Sequence, residues 1–231
     1  MLIQCWFDAD HGVMAISSGT PGGSARREYD RRRNAREARI RERHPRLGGL
    51  LVALSDAPQH EGAWHTGAEG ERRVAQALER RLRKHDGIHL LHDRRIPGTR
   101  TNIDHLAVGP GGITVVDAKL LKGRVEVRRE GGVLRPRTER LFVGRRDKSK
   151  LVDGLLRQVS VVREAFPGHD VRGAFCFADV DGLPTFSRLT VAGLRICGPA
   201  GAAKLIRRDG GLDPATVLLL GGELEGAFPA A

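Results

Sequence analysis

Two aspartates and a lysine stand in two consecutive segments that are otherwise apolar. Asp104 lies in the run NIDH (residues 102–105), and Asp117 and Lys119 end the run VVDAK (residues 115–119). Charged side chains are rarely placed inside a small sheet unless they are paired or bind a metal ion. These two segments are therefore where a chemical function would sit.

A glycine-rich turn at 109–112 joins the two segments and predicts how the charges meet. The short turn makes an antiparallel hairpin, which can bring Asp104 close to Asp117 in a register that the sequence leaves open. Asp117 and Lys119 are two residues apart, so they point to the same side of a continuing strand. Two carboxylates at such range repel, and the pKa of each would rise unless a cation lay between them.

A hard divalent ion, Mg²⁺ or Mn²⁺, fits such all-oxygen ligands. Lys119 could hold and polarise an attacking water, or stabilise charge on a phosphate oxygen. The structural alternative is a buried ion pair of Asp104, Asp117 and Lys119. Buried pairs contribute weakly to stability, and this alternative leaves a further acidic residue, Glu71, unexplained.

Two helices are expected to complete the cluster. The first runs from Gly67 to about Lys84, and Glu71 shares its apolar face with Val74, Leu78 and Leu82. An inward glutamate in a first turn is unusual, and the alternative is a frayed helix start stabilised by the helix dipole. The second helix spans 150–166, where Gln158 faces inward between Leu155 and Val162. The alternative for Gln158 is a polar residue at the edge of the stripe, bonded to backbone.

The pattern of elements predicts an α/β fold with a central mixed β-sheet flanked by helices. Strands are expected at 88–92, 103–108, 113–117, 124–128, 133–136, 171–178 and 194–197, with a short apolar piece at 141–143 and a short helix or apolar run at 214–220. The predicted organisation is a disordered tail at 1–24, a basic helical extension and linker at 25–60, one domain at 61–210 and a C-terminal tail at 211–231.

The chain has 231 residues and a net charge of +11, and its sequence pI is about 10.6. A polyanionic partner, most simply nucleic acid, explains this balance better than an anionic membrane surface does. The three cysteines lack the spacing of a zinc site. No signal peptide and no membrane-spanning run are visible, so we expect a soluble, cytoplasmic protein.

Basic residues concentrate in two places. Segment 25–46 is an arginine-rich helix with almost no apolar stripe, either a solvated extension or a phosphate-binding arm. A second group flanks the hairpin and could line a phosphate track or be ordinary surface charge. Its members are Arg94, Arg95, Arg100, Arg145, Arg146, Lys148 and Lys150.

Taken in order, GAEGE (67–71), NIDH (102–105), DAK (117–119) and Gln158 resemble the nuclease-related domain (NERD) family of the PD-(D/E)XK nuclease superfamily. The resemblance covers about residues 64–200. It implies a restriction-endonuclease-like core and a Mg²⁺- or Mn²⁺-dependent nuclease that acts on nucleic acid, most simply DNA. The alternative is a nucleic-acid-binding module that keeps the fold with little or no cleavage.

The resemblance also implies roles for single residues. Asp104 matches the first metal-binding aspartate, Asp117 the second acidic position and Lys119 the catalytic lysine. Glu71 matches the helix glutamate, Gln158 matches the glutamine of the later helix, and the Ala118 carbonyl would be a further metal ligand. One departure is Ile103, which stands where the superfamily's name places a proline.

Overall fold

The computed structural model describes residues 3–8, 12–45, 59–131, 138–179, 181–183 and 189–231. Eight strands form one sheet: β1 Ile3–Asp8, β2 Gly12–Ser18, β3 Ile88–Arg95, β4 Asn102–Gly109, β5 Gly112–Lys119, β9 Val171–Phe177, β10 Thr190–Val191 and β11 Leu194–Cys197. A small sheet holds β6 Val125–Glu130, β7 Thr138–Val143 and β8 Arg146–Asp147. The helices are α1 Gly23–Arg43, α2 Gln59–Leu82, α3 Ser149–Ala165, α4 Pro199–Ile206 and α5 Pro214–Ala227.

The large sheet is mixed, in the order β1-β2-β3-β4-β5-β9-β11-β10. Strand β5 pairs antiparallel with β4 on one side and parallel with β9 on the other. Helices cover both faces, so the predicted α/β architecture with a central mixed sheet is confirmed. None of the helices in the described part of the chain is long and apolar enough to cross a bilayer.

The β4–β5 hairpin positions the acidic residues. Its turn needs glycine at position 112, because φ there is +108° and a Cβ atom would lie 2.4 Å from the Asp170 carbonyl oxygen. The ladder pairs His105 with Val116. Continuing that register by one residue brings Asp104 opposite Asp117.

Alternation along β5 separates two apolar cores. Val116 and Ala118 pack with Val74 and Leu78 of α2, whereas Val115 packs in the core that α3 and α5 close. Period-two strands and period-3.6 helices therefore combine to bury both faces of the sheet. The end of β5 lies where α2 and α3 both approach the sheet.

Both predicted tails are part of the fold, which corrects the expected organisation. Residues Ile3–Asp8 and Gly12–Ser18 are strands, and β2 pairs in parallel with β3. This pairing satisfies backbone groups along β3. Helix α5 lies in the predicted C-terminal tail and buries Val217, Leu220 and Leu224.

Some sequence-based expectations fall on residues that the structure does not describe. The predicted strand at 133–136 overlaps residues 132–137, and most of the predicted linker lies within 46–58; both segments are outside the described residues. Strand β6 instead pairs with β7.

Candidate active site

The site is centred on the last three residues of β5. Lys119 donates from Nζ to the carboxylate of Asp117, and the same nitrogen lies 3.1 Å from the Ala118 carbonyl oxygen. The side chain of Lys119 is 20% exposed and that of Asp117 is 11% exposed. The pair is therefore mostly buried, but solvent still reaches part of each side chain.

Asp104 reaches this pair across the hairpin. Its Oδ2 accepts a hydrogen bond from the backbone N–H of Ala118 at 2.8 Å. Burial raises the pKa of Asp104 well above its ordinary value, and the charges of Glu71 and Asp117 raise it further against the opposing effect of Lys119. The carboxyl is thus held close to other negative charges.

Glu71 approaches from α2, at the point where that helix meets the end of β5. A Cβ atom on Gly70 would lie 2.9 Å from Cβ of Leu120, so glycine permits the close approach. The Glu71 carboxylate accepts a hydrogen bond from the Gly22 backbone, just before α1. Burial raises the pKa of Glu71 to about 7, with further increases from Asp93 and Asp117.

Lys119 remains a cation in this setting. Burial alone would lower its pKa, but the charges of Asp117 and Asp104 outweigh burial and raise the pKa above its ordinary value. The amine is therefore a hydrogen-bond donor and a positive charge at neutral pH, and it is a poor base.

Asp93 is a fourth acidic residue of the site, and the sequence reasoning missed it. The β3–β4 ladder pairs His92 with His105 and Arg94 with Ile103, which leaves Asp93 opposite Asp104. The register therefore sets Asp93, Asp104 and Asp117 in one row across three strands. The signal in the sequence that could have identified it is that Asp93 directly follows the predicted buried strand 88–92.

The backbone of Asp93 is left-handed, with φ of +50°. Its carboxylate accepts hydrogen bonds from the Ser24 backbone N–H at 2.7 Å and from the Ser24 hydroxyl at 2.6 Å. Asn102 donates to the same carboxylate at 3.4 Å. Asp93 thereby fastens the first turn of α1 to the start of β4.

Gln158 contacts the same strand from α3. Its Nε2 donates to the Asn102 carbonyl at 3.2 Å. Its Oε1 is buried and finds no hydrogen-bond partner among the described residues. Gln158 is thus bonded to backbone two residues before Asp104, and it touches neither Asp117 nor Lys119 through any described hydrogen bond.

His105, the neighbour of Asp104 on β4, is a packed histidine. Its Nδ1 lies 2.9 Å from Nδ1 of His92, and both rings are buried. Burial lowers the pKa of His105 well below its ordinary value, and His92 and Lys119 add to the decrease. The ring is neutral and structural.

The predicted phosphate track is only partly at the surface. Arg94 is fully buried, where it bonds Ser18 and lies 3.0 Å from Oε1 of Glu225, so its assignment to a phosphate-binding surface is wrong. The predicted strand ended at His92, whereas β3 continues to Arg95 and carries Arg94 into the interior. The other members are exposed, except that Lys148 is half-buried. They lie at the end of β3 and in the turn after it (Arg95, Arg100), in the β7–β8 turn and β8 (Arg145, Arg146), and at the start of α3 (Lys148, Lys150).

The oxygens at the end of β5 suit a hard divalent cation, with one restriction. The groups available as ligands are the carboxylates of Asp104 and Asp117 and the Ala118 carbonyl, all of which are oxygen donors. The Lys119 ammonium now occupies the position of a cation, because it contacts Asp117 and the Ala118 carbonyl. Within the described residues, no group of three or more His, Cys, Asp or Glu side chains is arranged to hold a metal. An ion here would take two carboxylates and a carbonyl and keep several waters, as Mg²⁺ commonly does.

Residues 66–178 match the family model described as the nuclease-related domain. The match begins within α2, before Glu71, and ends just after β9, so it spans the hairpin, Lys119 and Gln158. No curated protein and no solved structure matches the chain. Segment 66–178 is therefore similar to the nuclease-related domain family, whose general context is the PD-(D/E)XK superfamily.

Proposed function

We propose that the protein is a nuclease that hydrolyses phosphodiester bonds of DNA with Mg²⁺ or Mn²⁺, on a restriction-endonuclease-like core. The observation that carries the proposal is the hydrogen bond from the Ala118 backbone N–H to Oδ2 of Asp104, at 2.8 Å. Because Ala118 lies between Asp117 and Lys119, this bond brings a second carboxylate beside that charged pair. Acidic oxygens beside a permanent cation are what phosphoryl transfer requires.

In this proposal Asp104, Asp117 and the Ala118 carbonyl hold the divalent ion. When bound, the ion supplies charge neutralisation at the phosphate and lowers the pKa of a bound water. Binding requires Lys119 to leave the Asp117 carboxylate. Released, its ammonium can donate to a phosphate oxygen or orient the attacking water.

Glu71 is the candidate proton acceptor for that water. A general base works best when its pKa lies near the working pH, and burial brings the pKa of Glu71 to about 7. The water oxygen would bond to phosphorus, the bond from phosphorus to the leaving oxygen would break, Glu71 would take one proton of the water, and the leaving oxygen would gain a proton from solvent. Gln158 acts as a positioning residue through its bond to the Asn102 carbonyl.

The competing proposal is a nucleic-acid-binding module with little or no cleavage. It is favoured by Lys119, which already pairs with Asp117, and by the lack of a three-acid metal cluster among the residues the structure describes. In that case Lys119 and Asp117 are a permanent ion pair.

Supercoiled plasmid nicking separates the two proposals. Wild-type protein is assayed with Mg²⁺, with Mn²⁺ and with EDTA, beside Asp117→Asn and Lys119→Met. We expect metal-dependent nicking that falls at least about a hundredfold in each variant. Exposed positions elsewhere provide matched controls, Asp153→Asn and Lys204→Met, which should keep full activity. Equal nicking by all five proteins, or none by the wild type with either ion, would reject the nuclease.

A further inference from the structure

The basic helix α1 starts at the candidate active site. Gly22, its N-cap, bonds Glu71, and Ser24 bonds Asp93. Gly22 also needs to be glycine, because φ is +69° and a Cβ atom would lie 2.7 Å from the Ala68 carbonyl oxygen. The start of α1 is thus fixed beside two acidic residues of the site.

The rest of α1 presents arginine to solvent. Only Gly23 and Ala25 of the helix are buried. The helix has 21 residues, so it is about 30 Å long, on the order of nine base pairs of a duplex. A rigid basic rod of this length, fastened at one end to the site, can follow a nucleic-acid backbone.

Two cavities lie along α1. The first, about 330 Å³, is between α1 and α2 next to the active site, and Arg26, Arg33 and Arg72 line it together with Asp30 and Glu69. The second, about 360 Å³, is at the C-terminal end of α1. Its described lining is Arg36, Arg39, Ile40, Arg43 and His44, with no carboxylate among these residues. We call Arg39 and Arg43 the arginine cradle.

Ion pairing divides the arginines of α1 into two groups. Arg31 pairs with Glu28 at 2.8 Å, and Arg41 pairs with Glu37 at 3.2 Å. Among the described residues, no carboxylate lies within ion-pair distance of Arg39 or Arg43. Arg39 and Arg43 therefore keep positive charge that no described carboxylate offsets, whereas Arg31 and Arg41 are already paired with glutamates.

We infer that the α1 face bearing these cavities binds the phosphodiester backbone of a nucleic-acid duplex, with the arginine cradle as its distal phosphate site. This inference deepens the proposed function and rests on it, because the bound duplex would run from the cradle toward the reaction site at Glu71. A duplex fits better than a single strand, because stacking platforms need aromatic side chains and the sequence is only 4% aromatic. The helix offers charge without base-reading contacts, so we expect binding without sequence preference.

The test compares two double variants with equal loss of charge on the same helix. Arg39→Gln/Arg43→Gln removes cradle charge, and Arg31→Gln/Arg41→Gln removes arginines that are already paired. Fluorescence anisotropy with labelled duplexes is run in EDTA, so that binding is measured without cleavage. Duplex DNA and duplex RNA are both used, because the backbone phosphate is common to them.

The cradle variant should bind about tenfold or more weakly at about 0.1 M salt, and its salt slope should fall by about 2. The control variant should stay within about twofold of the wild type. Similar losses in both variants, no duplex binding by the wild type, or tighter binding to phosphatidylglycerol vesicles than to duplex would overturn the inference.

Plasmid nicking run in parallel separates this inference from the proposed function. If the wild type nicks DNA but the cradle and control variants bind alike, the inference fails and the nuclease stands. If the wild type never nicks DNA but the cradle variant alone loses binding, the nuclease fails and the duplex site stands. Circular dichroism of both variants establishes that α1 remains helical.

Discussion

Asp104 and Ala118 are joined by a hydrogen bond that crosses the hairpin, from the Ala118 backbone N–H to the Asp104 carboxylate at 2.8 Å. Ala118 stands between Asp117 and Lys119, so the bond places a carboxylate of β4 beside the charged pair of β5. Glu71 adds a third negative charge that raises the pKa of Asp104. One lysine thus faces several carboxylates, and their mutual repulsion has measurable consequences.

Asp104→Asn should stabilise the folded protein. The amide keeps an oxygen that can accept from Ala118 but removes a buried charge whose pKa the fold raises. We expect the free energy of unfolding at pH 8 in EDTA, measured by urea denaturation, to rise by more than the roughly 0.5 kcal/mol that a surface substitution changes it. The exposed control Asp153→Asn should change it by less than about 0.5 kcal/mol. A loss of stability in Asp104→Asn would show that the carboxylate is favourable where it lies.

Glu71 should make stability fall as pH rises. Its pKa is about 7 in the folded protein against an ordinary value of 4.5, so the folded state holds the proton more tightly than the unfolded state. Stability is then unaffected below about pH 4.5 and decreases as pH rises toward 7. Relative to Glu71→Gln, the wild type should lose about 3 kcal/mol across this window. Parallel stability–pH curves for the two proteins in EDTA would contradict this assignment.

Local spacing explains what the sequence could predict. The Gly109–Gly112 turn and the two-residue step from Asp117 to Lys119 act within one hairpin, so turn chemistry and alternation suffice to expect the antiparallel pairing. Helix phase likewise turns Glu71 toward the sheet, because Val74, Leu78 and Leu82 fix the buried face of α2. These features need no knowledge of distant partners.

Distant pairing explains what the sequence did not reveal. His89 meets Gly221 of α5 and Arg94 bonds Glu225 of the same helix. His89 and Arg94 are an odd number of positions apart, so strict alternation would place them on opposite faces of β3. The left-handed Asp93 between them breaks the strict alternation of β3. Periodicity therefore could not turn Arg94 inward, and only the contact with α5, 131 positions along the chain, shows it. The pairing of β2 with β3 also joins residues far apart in the sequence, so no local pattern predicts it.

Asp93→Ala should destabilise the protein more than Asp93→Asn does. Alanine loses the acceptor for both Ser24 hydrogen bonds and must adopt a φ of +50° that favours aspartate and asparagine. We expect losses of about 2 kcal/mol for alanine and about half that or less for asparagine, by thermal or urea unfolding.

The charge of Asp93 also reaches Glu71, whose pKa it raises. Asp93→Asn should therefore lower the Glu71 pKa, which carboxyl NMR titration measures directly. An unchanged Glu71 titration, or equal stability of the alanine and asparagine variants, would show that Asp93 does not connect α1 to the site in this way.

Arg94→Met should destabilise the fold without altering the salt dependence of nucleic-acid binding. Arg94 is buried, and its loss leaves Glu225 and Ser18 without their cationic partner, at a cost of about 2–4 kcal/mol in urea denaturation. Adding Glu225→Leu should recover much of that loss, because an apolar pair can replace a buried ion pair. The exposed neighbour provides the reverse control: Arg95→Met should leave stability within about 0.5 kcal/mol. A reduced salt slope in folded Arg94→Met would instead return Arg94 to the nucleic-acid surface.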